Sequence, residues 1–249
     1  MTTQELIAAV RARMDDLTSV PLVSTALILE QASLTETEFA LKTLALYGVT
    51  TISVAAGAKW LTLPSNLFVL KTVIFNGNQL RPISTSELDF GYYSFSNSLT
   101  SENTSRFASW REAVGVPRFV VNDMHASQVR FVPYTSNAGT ADVEGYIVPA
   151  KLYFDESGTH PELTVNPQIP VVYHEILLAG TLLRLFMLLD VDVYNQGIAQ
   201  LYNALWVQGV QEAQNNLRTN LRRQVRIMDL PMGFAYDAGT KQVSNEQPT

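Results

Sequence analysis

The sequence predicts an α+β protein: a helical bundle built from both chain ends, with a mostly antiparallel β unit inserted between them. Three observations lead there. Residues up to about Gly48 carry apolar side chains three and four apart. The region from 50 to 149 breaks into short Val/Ile/Thr/aromatic runs bounded by Gly, Pro and Asn, and from Val171 the helical spacing returns. The expected plan is therefore 1–48 and 168–230 as a discontinuous helical domain, 49–167 as an inserted β domain with a long loop at 91–112, and 231–249 as an extended C-terminal tail.

Thr2 and Glu5 stand at the spacing of a capping box, and Leu6, Val10, Met14 and Leu17 mark one face of a helix from about Gln4 to Leu17. Pro21 breaks the chain. Ser24–Gln31 is compatible with a helix, and Thr35 with Glu38 repeats the capping spacing ahead of Phe39, Leu41, Leu44 and Tyr47. Gly48 is placed to end that helix as a left-handed cap. Strand-like runs follow at Thr50–Val54, Lys59–Leu63, Leu67–Phe75 and Gln79–Ile83. Asn76-Gly77 predicts a tight hairpin turn, because both residues tolerate positive φ, while Pro64 and Pro82 sit at run ends. Gly91–Glu112 is polar and aromatic without a period, with Tyr92, Tyr93, Phe95, Phe107 and Trp110, and reads as a long loop. Strand character returns at Pro117–Asn122, Gln128–Tyr134 and Val143–Pro149.

Two helical segments of different character close the chain. From Val171 to Leu189 only His174, Thr181 and Arg184 draw a thin polar line, which predicts a buried helix. From Val193 to Met228 the pattern is amphipathic through Ile198, Leu201, Leu205, Ala213, Leu217, Leu221, Val225 and Met228. Beyond Ala213 the stripe narrows to one residue per turn, which suits a helix packed against another chain. Leu217, Leu221 and Val225 are thus the candidate inter-subunit face. Arg218, Arg222 and Arg226, four residues apart with Arg223 beside them, form either a solvated helix face or a contact for carboxylates or DNA phosphates. After Met228, Met232, Phe234 and Tyr236 alternate. That end is either a free tail or an extended edge offered to a partner.

Composition narrows the function classes. A formal net charge of −6 argues against wholesale wrapping by nucleic acid, and the absence of cysteine removes disulfides, thiolate nucleophiles and cysteine-ligated metals. The start lacks the blocks of a signal peptide, and the apolar run Ile176–Leu189 is shorter than the roughly 20 residues of a membrane span and contains Arg184. No catalytic residue, metal or cofactor is predicted. His174-Glu175 resembles the opening of a zinc-protease motif, but Leu178 stands where the second ligand belongs, and His125 and His160 lie in other segments. Asp155-Glu156 and Asp190-Val191-Asp192 do not continue into calcium-loop spacing. Two alternatives remain: a carboxylate hydrolase using Glu175 and Asp190, and a carbohydrate- or peptide-binding β module using the aromatics from Tyr92 to Trp110.

Several stretches resemble one known family. They are Thr51-Ile52-Ser53-Val54 through Leu63-Pro64-Ser65-Asn66, then Asn76-Gly77-Asn78-Gln79-Leu80-Arg81-Pro82 followed by Ser86-Glu87-Leu88. They continue with Gly115-Val116-Pro117-Arg118-Phe119 and with Asn166-Pro167-Gln168-Ile169-Pro170-Val171-Val172-Tyr173-His174 and its Leu-rich helix. Together they resemble the head-to-tail adaptor (connector or neck) proteins of tailed bacteriophages. The resemblance implies a virion protein of the neck, assembled in the host cytoplasm as a homo-oligomeric, dodecameric ring beneath the portal, with tail or nozzle proteins below and double-stranded DNA passing through the lumen. It makes Arg218, Arg222, Arg223 and Arg226 candidates for portal or DNA contact, and Phe234 and Tyr236 for tail docking. The excursion at 91–112 has no counterpart in the pattern.

Overall fold

The computed structural model describes residues 1–16, 21–90, 109–155, 164–188 and 195–228, without the side chains of Arg218 and of residues 220–228. The first helix, α1 (Thr3–Arg13), opens on a complete capping box. The Thr2 hydroxyl accepts from the Glu5 N–H, and the Glu5 carboxylate accepts from the Thr2 N–H. Leu6 and Val10 are fully buried along its inner face. The second helix, α2 (Thr25–Thr43), starts at the Ser24 cap and runs unbroken. Two expectations fail here. Thr35 does not cap a new helix: it lies in mid-helix, its hydroxyl donating to the Gln31 carbonyl, and Glu38 pairs instead with Lys42 and Arg184. Nor does Gly48 end the helix, because Leu44 takes the left-handed position at φ 56° and Gly48 lies within the first strand. The spacing was misleading because the chain leaves the helix three residues before Tyr47 and pairs at once.

Ten strands follow among the described residues, most of their pairings antiparallel. β1 (Tyr47–Val54), β3 (Leu67–Phe75), β4 (Asn78–Gln79) and β10 (Gly139–Ile147) form one sheet in the order β1-β10-β3-β4. β2 (Trp60–Thr62), β5 (Arg81–Ile83), β7 (Phe119–Val121) and β8 (Gln128–Val132) form a second, ordered β2-β8-β7-β5, while β6 (Val114–Gly115) and β9 (Tyr134–Thr135) make a small parallel pair. The β5–β7 pairing is parallel as well. The predicted turn joins β3 to β4, with Asn76 and Gly77 at φ 48° and 78°. Alternate residues of the two sheets meet in one apolar cluster. Val73, Phe75 and Val143 come from the first sheet and Leu61, Val129 and Phe131 from the second.

The outer side of the second sheet is covered by a helix that the sequence reading did not anticipate, α3 (Thr85–Phe90), and by residues 110–113. Leu88, Trp110 and Ala113 close over Ile83, Val121 and Val132. Of the expected loop at 91–112 only 109–112 is described, and it packs on the second sheet through Trp110, while 91–108 lies outside the described residues.

After β10 the chain returns to helix. The apolar run predicted as one buried helix divides: Val171–Tyr173 is a 3-10 turn with Val171 and Val172 about three-quarters exposed (74% and 78%), and the buried helix is α4 (His174–Phe186). The turn follows Pro170 and has no side-chain cap, and His174 is the first buried residue after it. The last helix, α5 (Gln196–Met228), is 33 residues long. Residues of α1, α2, α4 and α5 share one apolar cluster, joined by Leu152 and Ile169 from the connection that leads from β10 back to α4.

Candidate interaction surfaces

The pairing of α4 with α5 is set by two glycines. A Cβ on Gly180 would stand 2.5 Å from Thr35 Cγ2 and 2.6 Å from Trp206 Cε3, and one on Gly209 would stand 2.7 Å from Ile176 Cγ1. Side chains of the facing helices therefore fill the space that a methyl group would need at both glycines, with Phe39 tilted against Trp206 and Phe186 stacked on Tyr202. The buried face of α5 consists of Ala199, Trp206, Val210 and Ala213. The stripe expected from spacing is only partly this face: Ala213 is buried, but Ile198, Leu201 and Leu205 are exposed, and the neighbouring arc that carries Ala199, Trp206 and Gly209 faces α4 and α2 instead.

Toward its C-terminal end α5 runs past the end of α2. The Gln214 amide donates to the Lys42 carbonyl, one residue before the end of α2. Met228 lies roughly 20 Å of helix further on at 1.5 Å per residue. Leu217 is half-buried. The backbone carries Arg218, Leu221, Arg222, Arg223, Val225 and Arg226 along this projecting stretch, and their side chains lie outside the described residues, as do Met232, Phe234 and Tyr236.

The junction between helical and β regions is held by buried polar side chains. Glu36 on α2 is fully buried, and its Oε1 accepts from the backbone N–H groups of Gln168 and Ile169. Burial pushes its carboxyl pKa above the usual range, against the pull of those two hydrogen bonds. The Ser33 hydroxyl accepts from the Leu152 N–H, Thr3 donates to the Val165 carbonyl, and the His174 ring bonds the Ile169 carbonyl through Nε2. Desolvation holds the His174 pKa below its ordinary value. His174 is thereby a structural residue of the junction.

On the β region, Asp89, just before the 91–108 stretch, bonds two residues just after it. Its carboxylate accepts from both terminal nitrogens of Arg111, at 3.0 and 3.1 Å, and from the Trp110 indole at 2.7 Å. The Arg111 and Trp110 bonds hold the Asp89 carboxyl below the usual range. Arg130 lies between the rings of Trp60 and Trp110 and donates to the Arg111 carbonyl, while His125 meets Trp60 edge-on at 4.9 Å. Trp110 is thus buried in the fold, and not offered to a groove. Tyr92, Tyr93, Phe95 and Phe107 lie outside the described residues.

Of the carboxylates considered for hydrolysis, Glu175 is solvated and ion-paired with Arg13 at 2.9 Å, and Asp190 and Asp192 lie outside the described residues, as do Glu156 and His160. Among the described residues no group of three His, Cys, Asp or Glu is placed to hold a metal ion, and no helix is long and apolar enough to cross a membrane.

The family model described as SU10 adaptor protein matches residues 1–228, from the first helix to the last residue of α5. The chain belongs to that family. It is a family of phage head-to-tail adaptors, which makes the chain a structural adaptor and a virion component. Membership implies interaction with phage portal and tail proteins. None of the curated proteins matches the chain. The family match ends at residue 228, so 229–249, with Met232, Phe234 and Tyr236, fall outside it.

Proposed function

We propose that this SU10-family adaptor forms a homo-oligomeric ring in the neck of the virion, between portal and tail, around the exit channel of the packaged DNA. In this reading the helical bundle of 1–48 and 168–230 is the ring-forming domain, and 49–167 is the inserted β domain that offers the tail-attachment surface. The part that 91–112 plays in that surface is left open. Residues 231–249 dock on a neighbouring protein through Met232, Phe234 and Tyr236. The subunits assemble in the host cytoplasm, and the protein acts mechanically, without a catalytic step.

The projection of α5 past the end of α2 carries this reading. Most helical stability comes from packing an amphipathic face, and the sequence of this stretch puts Leu217, Leu221 and Val225 on one side with Arg218, Arg222, Arg223 and Arg226 around it. In a ring the leucine side packs against a neighbouring subunit or the portal, and the arginines form a cationic belt facing portal carboxylates or DNA phosphates. Many copies multiply each modest contact into a long-lived joint.

The test is light scattering on the purified chain alone and mixed with portal protein, followed by the triple change Arg218→Glu, Arg222→Glu, Arg226→Glu. The expected result is a closed oligomer or a portal-bound ring whose attachment weakens with the triple change and with added salt. A chain that stays monomeric in the presence of portal overturns the reading.

A further inference from the structure

We infer that the flank of α5 formed by Ile198, Leu201 and Leu205 is a contact surface for a second copy of this chain, an inference that rests on the multi-copy reading above. The three residues follow at intervals of three and four, and fall side by side next to the buried face of the helix. They are 39%, 59% and 47% exposed. Met187, the residue that ends α4 next to Phe186, is also exposed. This flank is distinct from the projecting stretch beyond Gln214, because it lies alongside the helical core and not past its end.

Charge selects the occupant. From Gln196 to Leu217 the only charged residue is Glu212, whose carboxylate accepts the Gln208 amide at 2.8 Å. The other exposed polar positions of this stretch are Gln and Asn, whereas a helix face made for water carries Lys, Arg, Glu and Asp. Each copy carries a formal charge of −6, so copies repel one another except where the meeting surface is neutral. Side-chain amides both donate and accept, and a neutral amide-and-leucine surface meets another copy without charge mismatch. A strongly charged partner, nucleic acid included, would be met instead where the helix supplies arginines, from Arg218 onward.

The chain has no cysteine, so Leu205→Cys introduces a single reporter thiol. Its maleimide labelling is followed in dilute and assembled protein, and a benzophenone maleimide attached there is irradiated in the assembly. Labelling at least tenfold slower on assembly, with a photo-adduct of twice the chain's mass, is the expected result. Leu201→Glu with Leu205→Glu is then expected to leave the circular dichroism spectrum unchanged and to abolish the oligomer. An oligomer in which Cys at 205 labels as fast as in the monomer overturns this contact and leaves the ring standing. An adduct only with portal protein overturns the second copy in favour of the portal. Failure to associate under any condition overturns both readings.

Discussion

Replacing Glu36 tests the junction that joins the helical and β regions. Its Oε1 serves the N–H groups of Gln168, on a part-buried bond, and Ile169, on a buried one, at the point where the chain re-enters the helical core. Glu36→Leu keeps the bulk and removes the acceptor. A buried donor left unpaired costs about 1–3 kcal/mol, in full at Ile169 and in part at Gln168, where water reaches the backbone. The loss of a buried carboxylate offsets some of this, so the net destabilisation is about 2–3 kcal/mol, or roughly 4–12 °C in Tm for a chain of this size. Glu36→Gln keeps the acceptor and removes the charge, which separates the two effects. Because the folded-state pKa of Glu36 is raised, the native state holds its proton more tightly than the unfolded chain does. That contribution to stability is complete below the unfolded carboxyl value of about 4.3 and is lost as pH rises through the folded value. The Tm difference, Glu36→Gln minus wild type, should therefore grow from pH 4 to pH 7. Differential scanning calorimetry across that range decides the matter: an Glu36→Leu variant as stable as wild type, or a Gln difference independent of pH, refutes the reasoning.

Three further changes probe other parts of the fold. Gly180→Ala forces a methyl against Thr35 and Trp206 and should destabilise by about 1–3 kcal/mol in thermal melts, whereas an unchanged Tm would mean the helices do not approach so closely. Thr2→Ala removes the hydroxyl half of the capping box and should cost about 1 kcal/mol, with faster amide exchange confined to the first turn of α1. Arg130→Met keeps the length but not the guanidinium between Trp60 and Trp110. It should cost about 1.5–3 kcal/mol and alter tryptophan fluorescence, and an unchanged emission spectrum would contradict the stacked arrangement.

Local chemistry was legible where a few neighbouring residues decide the outcome. Thr2 with Glu5 spelled out a cap and Asn76-Gly77 a turn, because both depend on hydrogen bonds and φ values within four residues. The same rule misled at Thr35 and Glu38. Their spacing is that of a cap, but the apolar residues before them, Ile28, Leu29 and Ala32, are buried against the other helices and hold α2 in one piece. Trp110 read as a loop aromatic, and Asp89 gave no signal at all. Their meeting depends on a closure across 21 positions that no local pattern encodes. Glu36 was equally silent, since its partners are backbone groups 132 and 133 residues away.

The sequence by itself determined that this chain is α+β, where most of its helices and strands lie, and that its last helix is too long and too mixed in character to be a simple core element. These follow from periodicity and short-range sterics, which act within a turn or a strand. Tertiary structure alone decided which side of α5 is buried, because Gly180 and Gly209 draw α4 and α5 together until Trp206 fills the space, leaving Ile198, Leu201 and Leu205 outside. Helical spacing places all of these residues on adjoining arcs. Only the shape of the opposing helix chooses between them.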